Sequence, residues 1–322
     1  MSKAGNAIEV TDVSVSYGGV RAVDEASFSV PDGAIVGFIG PNGAGKTTVF
    51  DAICGFVSAE GGRVVIGGTD MTNMSPTERA RRGLGRSFQD ARLFGSLTVA
   101  ETLACAFERH TKRWGSDPVS AMIWFPVRKQ ERAVQSRVDD IIDLMGLGAF
   151  RDKFVNELST GSRRVVDLAC VIAHEPTVLL LDEPSSGMAQ RETEAMGPLL
   201  LKVKEATGCT MLLIEHDMPL VTSVSDELIA LETGRVIMQG KPHDVTNDPR
   251  VVEAYLGTDE RVVARSGAIT NGRKKRKPPV RTAKPKAKAT AKKKAPARKK
   301  TTTTRKPAAK KSSARKTTRA KR

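Results

Sequence analysis

Apolar residues recur in short runs separated by turn-forming residues, and this pattern predicts strands alternating with helices. The segment 8–17 alternates apolar and polar positions, which predicts a half-buried strand ending at a Gly18-Gly19 turn. Continuous apolar runs predict strands that are buried on both faces, as in a parallel sheet, at 34–39, 177–181 and 210–214. The segment 227–240 predicts a hairpin with its turn near Thr233-Gly234. An α/β fold is therefore expected.

Helix signals concentrate in the middle of the chain. Ser75-Pro76-Thr77-Glu78 predicts the start of a short helix, because it combines a capping box with proline at the first helical position. Thr98 begins another helix, and apolar residues follow at helical spacing at Val134, Val138, Ile141, Ile142 and Met145. We therefore expect a mostly helical insert at about 92–165 within the α/β pattern.

The charge is divided sharply between two parts of the chain. Residues 261–322 contain 26 Lys and Arg and no acidic residue, whereas residues 1–260 contain 26 basic and 36 acidic residues, a net charge of −10. The basic segment has no aromatic residue and few large aliphatic ones, so it buries too little surface to offset chain entropy. We expect a folded domain over 1–260 followed by a disordered tail. The tail could bind anionic lipid, bind nucleic acid through phosphate contacts, or act only as a solvated solubility segment.

Other bulk features bear on the cellular setting. The four cysteines (Cys54, Cys105, Cys170 and Cys209) are scattered, which favours a reducing compartment and argues against a disulfide or zinc site. The N-terminus lacks the apolar core of a signal peptide, and no apolar run approaches the 18 or so residues that a spanning helix needs. If the protein works at a membrane, we expect other chains to span it.

The clearest chemical motif follows the first buried strand. It matches the phosphate-binding pattern G-x-x-x-x-G-K-T and reads Gly40-Pro41-Asn42-Gly43-Ala44-Gly45-Lys46-Thr47-Thr48. Its glycines allow backbone N–H groups to point at phosphate oxygens, and the helix predicted after it adds a positive N-terminal end. Lys46 can reach the β and γ phosphates, and the Thr47 hydroxyl can ligate Mg²⁺. The motif predicts nucleotide binding.

Polar residues end the other buried strands, where ligands of parallel sheets bind. Asp182 and Glu183 end one strand and His216 ends another. Tyr17 lies 23 residues before Gly40, where its ring could stack on a nucleotide base or simply close a strand.

With the phosphate loop at 40–48 and Leu-Leu-Leu-Asp-Glu-Pro at 179–184, residues from about 8 to 257 resemble the ATPase subunit of an ATP-binding cassette (ABC) transporter. The resemblance implies a P-loop NTPase core with a mostly parallel sheet, an N-terminal antiparallel β region and a helical insert. It also implies ATP and Mg²⁺ as ligands and matches three further positions, with Tyr17 stacking on adenine, Gln89 as the glutamine of the Q-loop and His216 as the switch histidine.

The resemblance assigns a role to each of these residues. Thr47 and Gln89 would hold Mg²⁺, and Asp182 would act on the ion through water. Glu183 would polarise the attacking water, and His216 would contact the γ-phosphate, so that Glu183, His216 and Gln89 form the catalytic set.

The family's signature Leu-Ser-Gly-Gly-Gln reads Leu158-Ser159-Thr160-Gly161-Ser162 here, so Ser159 and Gly161 match while Thr160 and Ser162 depart. The resemblance implies that Ser159 and Gly161 contact ATP bound by a second ATPase subunit, the same or a different chain, and that permease subunits span the membrane. The loop after Glu183 lacks the aspartate that is common in the family.

Within this family the chain looks most like subunits of branched-chain amino acid importers. The resemblance rests on Gly85-Arg86-Ser87-Phe88-Gln89 with Arg92-Leu93-Phe94, the loop 111–130, Ile214-Glu215-His216-Asp217-Met218 and Glu253-Ala254-Tyr255-Leu256-Gly257. It implies a cytoplasmic position on the inner face of the membrane. The alternative is a soluble ABC ATPase that binds nucleic acid through its basic tail.

Overall fold

The computed structural model describes residues 5–88, 93–108 and 124–255, with backbone alone over 124–130. Ten strands in these ranges form two sheets, with bounds β1 Asn6–Tyr17, β2 Val20–Pro31, β3 Ile35–Ile39, β4 Gly61–Ile66, β5 Thr69–Asp70, β6 Leu84–Arg86, β7 Val178–Asp182, β8 Thr210–Ile214, β9 Glu227–Glu232 and β10 Arg235–Gly240. The α-helices are α1 Lys46–Cys54, α2 Pro76–Arg81, α3 Val99–Phe107, α4 Trp124–Met145, α5 Thr160–Ile172, α6 Gln190–Thr207, α7 Met218–Val224 and α8 Pro242–Thr246. A further helical segment covers 249–255.

The larger sheet carries the candidate site. Its strand order is β10-β9-β3-β8-β7-β6, and the strands from β9 to β6 are mutually parallel. Every residue of β3, β7 and β8 is buried, which confirms the prediction drawn from their continuous apolar runs. Since parallel strands end at one edge, the phosphate loop after β3 and the acidic residues at the end of β7 share that edge.

The predicted N-terminal antiparallel region is present as a second sheet. Its order is β2-β1-β4-β5, and it packs with α1 against one face of the parallel sheet. Alternate residues of β3 divide between the two faces, since Phe38 belongs to the core under α1 whereas Ile35 and Ile39 face the opposite core. That opposite core is formed with helices from α3 to α7, so the sheet is covered on both sides.

Local signals read from the sequence are confirmed at several element ends. The Ser75 and Glu78 side chains each accept a hydrogen bond from the other residue's N–H, which is the capping box of α2. The β9–β10 hairpin turns at Thr233 and Gly234, whose φ values of 49° and 80° are those of a type I′ turn. The predicted helical insert contains α3, α4 and the start of α5. Every helix in the described ranges is too short or too polar to cross a bilayer.

Three expectations fall outside the described residues. They are the placement of Gln89, the structure of most of the loop 111–130, and the disorder of the tail after Glu260. The boundary between domain and tail therefore stays a prediction.

Candidate ATP-binding and hydrolysis site

The phosphate loop packs closely against the backbone of β9 at one end and of β2 at the other. Gly40, Gly43 and Gly45 have φ values of 152°, 80° and 101°. A Cβ on Gly40 would lie 2.2 Å from the Leu231 carbonyl oxygen, and one on Gly45 would lie 2.4 Å from that of Ala22. A Cβ on Gly43 would meet only open space. Glycine is therefore required at both ends of the loop for packing, while Gly43 faces the open side where a phosphate would lie.

The start of α1 is left ready for an anion. Its N-cap is Gly45, which supplies no side-chain cap to the first N–H groups of the helix. Ala44 is buried, Pro41 and Thr48 are half-buried, and Asn42 and Thr47 are exposed. Uncapped N–H groups at a helix N-terminus favour a phosphate, and the exposed Thr47 hydroxyl can meet an ion from the open side. The loop 40–48 thus has the geometry that the motif predicts.

Lys46 points into the site from a buried position. Its Nζ donates to the carbonyl oxygens of Gly40 at 2.7 Å and Pro41 at 3.1 Å. Burial lowers the pKa of Lys46, and the negative charges of Glu183 and Asp182 oppose this change. The lysine and the two strand-end acids therefore act on one another electrostatically at the shared sheet edge.

Asp182 is buried at the end of β7 with one oxygen unused. Its Oδ2 accepts from Arg86 Nη2 at 3.2 Å, whereas its Oδ1 is buried and has no hydrogen-bond partner in the described part of the chain. Burial raises the pKa of Asp182, and Arg86 opposes this. A buried carboxylate oxygen without a partner is costly unless something else binds it.

This orphaned oxygen fits a magnesium ion. No cluster of three His, Cys, Asp or Glu side chains that could hold a metal occurs in the described ranges. Mg²⁺ commonly binds one or two protein oxygens and takes its other ligands from water and substrate phosphates. Asp182 Oδ1 and the Thr47 hydroxyl are oxygen donors of that kind.

Glu183 and His216, which were predicted to lie at the same sheet edge, are in contact with each other. Glu183 Oε1 lies 3.0 Å from His216 Nε2, and the Glu183 N–H donates to the Ile214 carbonyl oxygen at 2.9 Å. Glu183 has a φ of 50°, which is unfavourable for a residue with a side chain and is typical of functional sites. The main chain thus bends at Glu183 and directs its carboxylate toward the histidine.

Glu215 supports this pair, although it was not predicted as a site residue. Its carboxylate is buried, accepting the Ser185 N–H at 2.8 Å and the His216 N–H at 3.1 Å. One side chain therefore holds the loop after Glu183 and the start of the histidine loop at a fixed separation. The adjacent acid and histidine in Glu215-His216 were the only signal for it.

Arg86 is a second supporting residue that was not predicted as a site residue from the sequence. Its side chain is 8% exposed, with Nη1 2.5 Å from Asp51 Oδ1 in addition to the Asp182 contact. Its guanidinium also lies 5.4 to 6.0 Å from the ring centroids of three aromatic residues, Phe50, Phe56 and Phe88. Arg86 is thus a buried cation that joins α1 to the end of β7.

The remaining predicted residues are divided between two places. Tyr17 ends β1, is 49% exposed and pairs across the strands with the exposed Val20. Two residues after Val20, the carbonyl oxygen of Ala22 lies against Gly45 of the phosphate loop. Tyr17 and Val20 together present an apolar surface near the loop. Ser159 caps α5, and no hydrogen bond in the described ranges joins Ser159 or Gly161 to residues 40–48.

Comparison with known proteins agrees with this geometry. Residues 23–186 match the family model "ABC transporter", and residues 235–261 match "Branched-chain amino acid ATP-binding cassette transporter". The chain is 33% identical over 251 residues to the high-affinity branched-chain amino acid transport ATP-binding protein BraF of Pseudomonas aeruginosa, covering 78% of this chain and 97% of BraF. It is 34% identical over 235 residues to the methionine import ATP-binding protein MetN of Geobacillus kaustophilus, covering 72% and 64%.

A solved structure gives the same result for the fold. The crystal structure of the ADP conformation of MJ1267, an ATP-binding cassette of an ABC transporter, superposes with a TM-score of 0.67 at 30% identity. The match covers 79% of this chain and 99% of that one.

Proposed function

This chain belongs to the ABC transporter family as an ATP-hydrolysing subunit, and we propose that its transporter imports branched-chain amino acids or related small molecules. The observation that carries the substrate class is the match of residues 235–261 to the branched-chain amino acid model. The likeness to BraF supports the same class. The likeness to MetN supports import of amino acids in general.

The site residues divide the chemistry between binding and hydrolysis. The N–H groups of the loop 40–48 and Lys46 bind the phosphates, and Tyr17 stacks on adenine. Thr47, Gln89 and Asp182 would hold Mg²⁺, Asp182 through water, and the bound ion would add positive charge beside the γ-phosphate. Glu183 accepts a proton from the attacking water. His216, whose Nε2 lies 3.0 Å from Glu183 Oε1, orients the Glu183 carboxylate and contacts the γ-phosphate.

In this proposal hydrolysis needs a second subunit, as the family resemblance implies. In agreement with it, no hydrogen bond in the described ranges joins Ser159 or Gly161 to the phosphate loop of the same chain. In this proposal they contact the γ-phosphate of ATP that is bound by a second ATPase subunit, and ATP binding brings the two together. Hydrolysis separates them, and permease subunits in the membrane respond to that movement. The subunit pair lies on the cytoplasmic face of the membrane.

Transport by the assembled complex tests the proposal. We expect the affinity-tagged full chain to co-purify from detergent extracts with membrane-spanning subunits. After reconstitution of that complex with its binding protein, ATP should drive uptake of leucine, isoleucine or valine. Methionine and sulfate serve as comparison substrates. Uptake of sulfate alone would contradict the substrate class, and co-purification with ribosomal or DNA-bound proteins in place of membrane subunits would contradict transport.

A further inference from the structure

A carboxylate already occupies the end of α5 that is expected to meet phosphate. Ser159 Oγ accepts the Ser162 N–H at 3.1 Å and donates to Glu192 Oε1 at 3.0 Å. The carboxylate also packs against Gly161, where an added Cβ would lie 2.4 Å from Glu192 Oε2. Gly161 therefore leaves room for Glu192, and Glu192 contacts Ser159 and Gly161, the two residues that are expected to contact ATP.

Glu192 connects this loop to the segment that follows the catalytic acid. It belongs to the first turn of α6, and its Oε2 accepts the Ala189 N–H at 3.1 Å. Ala189 ends the short loop that begins after Glu183. One carboxylate thus joins the signature loop, through Ser159, to the start of α6, through Ala189.

The position of Glu192 creates a competition for one proton. The Ser159 hydroxyl has a single hydrogen, and the acceptors beside it are Glu192 Oε1 at 3.0 Å and Ser162 Oγ at 3.1 Å. The charged acceptor is the stronger of the two. To donate to a phosphate, Ser159 must leave Glu192, and the phosphate must approach a negative charge near the N-terminus of α5, where an anion is favoured.

We infer that Glu192 is a positioning residue. In the isolated subunit it accepts a hydrogen bond from the Ser159 hydroxyl, and it thereby opposes the contact of Ser159 with ATP that is bound by a second subunit. The inference rests on the proposed function, because it takes Ser159 to bind ATP held by a second subunit. Glu192 thereby raises the ATP concentration that is needed to close the dimer, and its link to Ala189 makes closure sensitive to the loop after Glu183.

The test measures ATP-dependent dimerisation rather than turnover. Glu183→Gln in the full chain is the parent, so that ATP persists, and Glu192→Gln and Glu192→Asp are each added to it. The fraction of dimer is followed by sedimentation velocity as ATP is raised at constant Mg²⁺. Glu192→Gln removes the charge and keeps the shape, so the ATP concentration at half-dimerisation should fall about five-fold, as expected for one unit charge at close range in water. Glu192→Asp keeps the charge and should stay at or above the parent's midpoint.

A control substitution on the surface of the same helix separates the effect of losing any carboxylate from the effect of losing the one beside Ser159. Glu194→Gln, on the same helix, removes an exposed carboxylate that accepts from Gln190, and it should leave the midpoint unchanged. If Glu192→Gln leaves the midpoint unchanged or raises it, or if Glu192→Asp lowers it equally, the inference is wrong while the proposed function stands. If the parent binds ATP but never dimerises, the two-subunit function fails and this inference fails with it.

Discussion

At the scale of single residues, the site depends on buried charges that are each matched to a neighbour. Lys46, Asp182 and Arg86 are all largely buried, and Asp182 keeps one oxygen without a partner. Arg86 supplies the positive charge beside Asp182. A buried charge that loses its partner is strongly destabilising, so Arg86 should matter for folding as well as for the geometry of Asp182.

We predict that Arg86→Met destabilises the protein by about 3–5 kcal/mol, because it leaves the buried Asp182 carboxylate without its cation. Urea unfolding followed by circular dichroism measures the change. Arg63→Met is the matched control, since it breaks an ion pair with Asp70 whose two side chains are 62% and 47% exposed. The control should lose far less stability. Equal losses in the two variants would contradict the role given to Arg86.

The sequence predicted most residues of the site but not the ones that hold them. Lys46, Asp182, Glu183 and His216 lie in spaced motifs whose chemistry is specific, and the structure brings them to one sheet edge. Glu192 lies far from Ser159 along the chain, so its contact with that residue follows from tertiary packing alone. Arg86 and Glu215 are next to motif residues in the sequence, and only their contacts in the fold show which groups they hold.

At the scale of elements, α5 carries the signature residues at its start and a carboxyl with a raised pKa in its middle. Its first turn carries Ser159 and Gly161, and its middle contains Asp167. Burial raises the pKa of the Asp167 carboxyl to about 6, against a smaller opposing effect of Arg164. A carboxyl whose pKa is higher in the folded chain than in the unfolded chain costs stability once the pH rises above the unfolded value near 4.

We predict that Asp167→Asn stabilises the protein at pH 7 by about 2–3 kcal/mol and has little effect below about pH 4. Below that pH the carboxyl is protonated in both states, and above about pH 6 the wild type must keep it charged inside the fold. Unfolding free energies measured from pH 3.5 to 7.5 should therefore diverge through this window. Glu205→Gln, at an exposed position of α6, is the control. Curves that stay parallel would show that Asp167 is not buried as described.

The order and type of the elements followed from local patterns to a large extent. Continuous apolar runs predicted β3, β7 and β8 because those strands are buried on both faces. The capping box at Ser75 predicted the start of α2, and Thr233-Gly234 predicted the hairpin turn. A helix start was predicted at Thr98 too, and the structure shows a capping box there. Strand order could not be read in this way, since the placement of β9 beside β3 joins segments that are distant in sequence.

At the scale of the whole molecule, the helical segment 249–255 is part of the ATP-binding domain. Tyr255 Oη accepts the Gly40 N–H at 2.8 Å, and Val251 and Ala254 are buried. The folded part of the chain therefore extends at least to Tyr255, and the start of the phosphate loop depends on it. The 26 basic residues of 261–322 follow after this contact.

We predict that a chain ending at Glu260 keeps the thermal midpoint and ATPase rate of the full chain, whereas one ending at Asp248 loses both. The shorter chain leaves the Gly40 N–H without its partner and uncovers the core beneath Val251. Thermal unfolding and phosphate release measure the two effects. Loss of ATPase activity in the chain that ends at Glu260 would contradict the domain boundary.

The same pair of full and truncated chains distinguishes the roles open to the tail. If the tail binds polyanions, only the full chain should be retained on anionic liposomes or on DNA at low salt, and retention should fall as salt rises. Equal retention of the two chains would leave the tail as a solvated segment.

The central claim is that Lys46 binds the phosphates while Glu183 acts on the attacking water. Its most direct test is to follow ATP binding, hydrolysis and dimerisation together in full-length Glu183→Gln and Lys46→Ala. Glu183→Gln should bind ATP as the wild type does and accumulate as an ATP-bound dimer. Its rate of ATP hydrolysis should be lower than that of the wild type by at least about a hundred-fold. Lys46→Ala should fail to bind or hydrolyse ATP. Hydrolysis by Glu183→Gln at the wild-type rate would contradict the account.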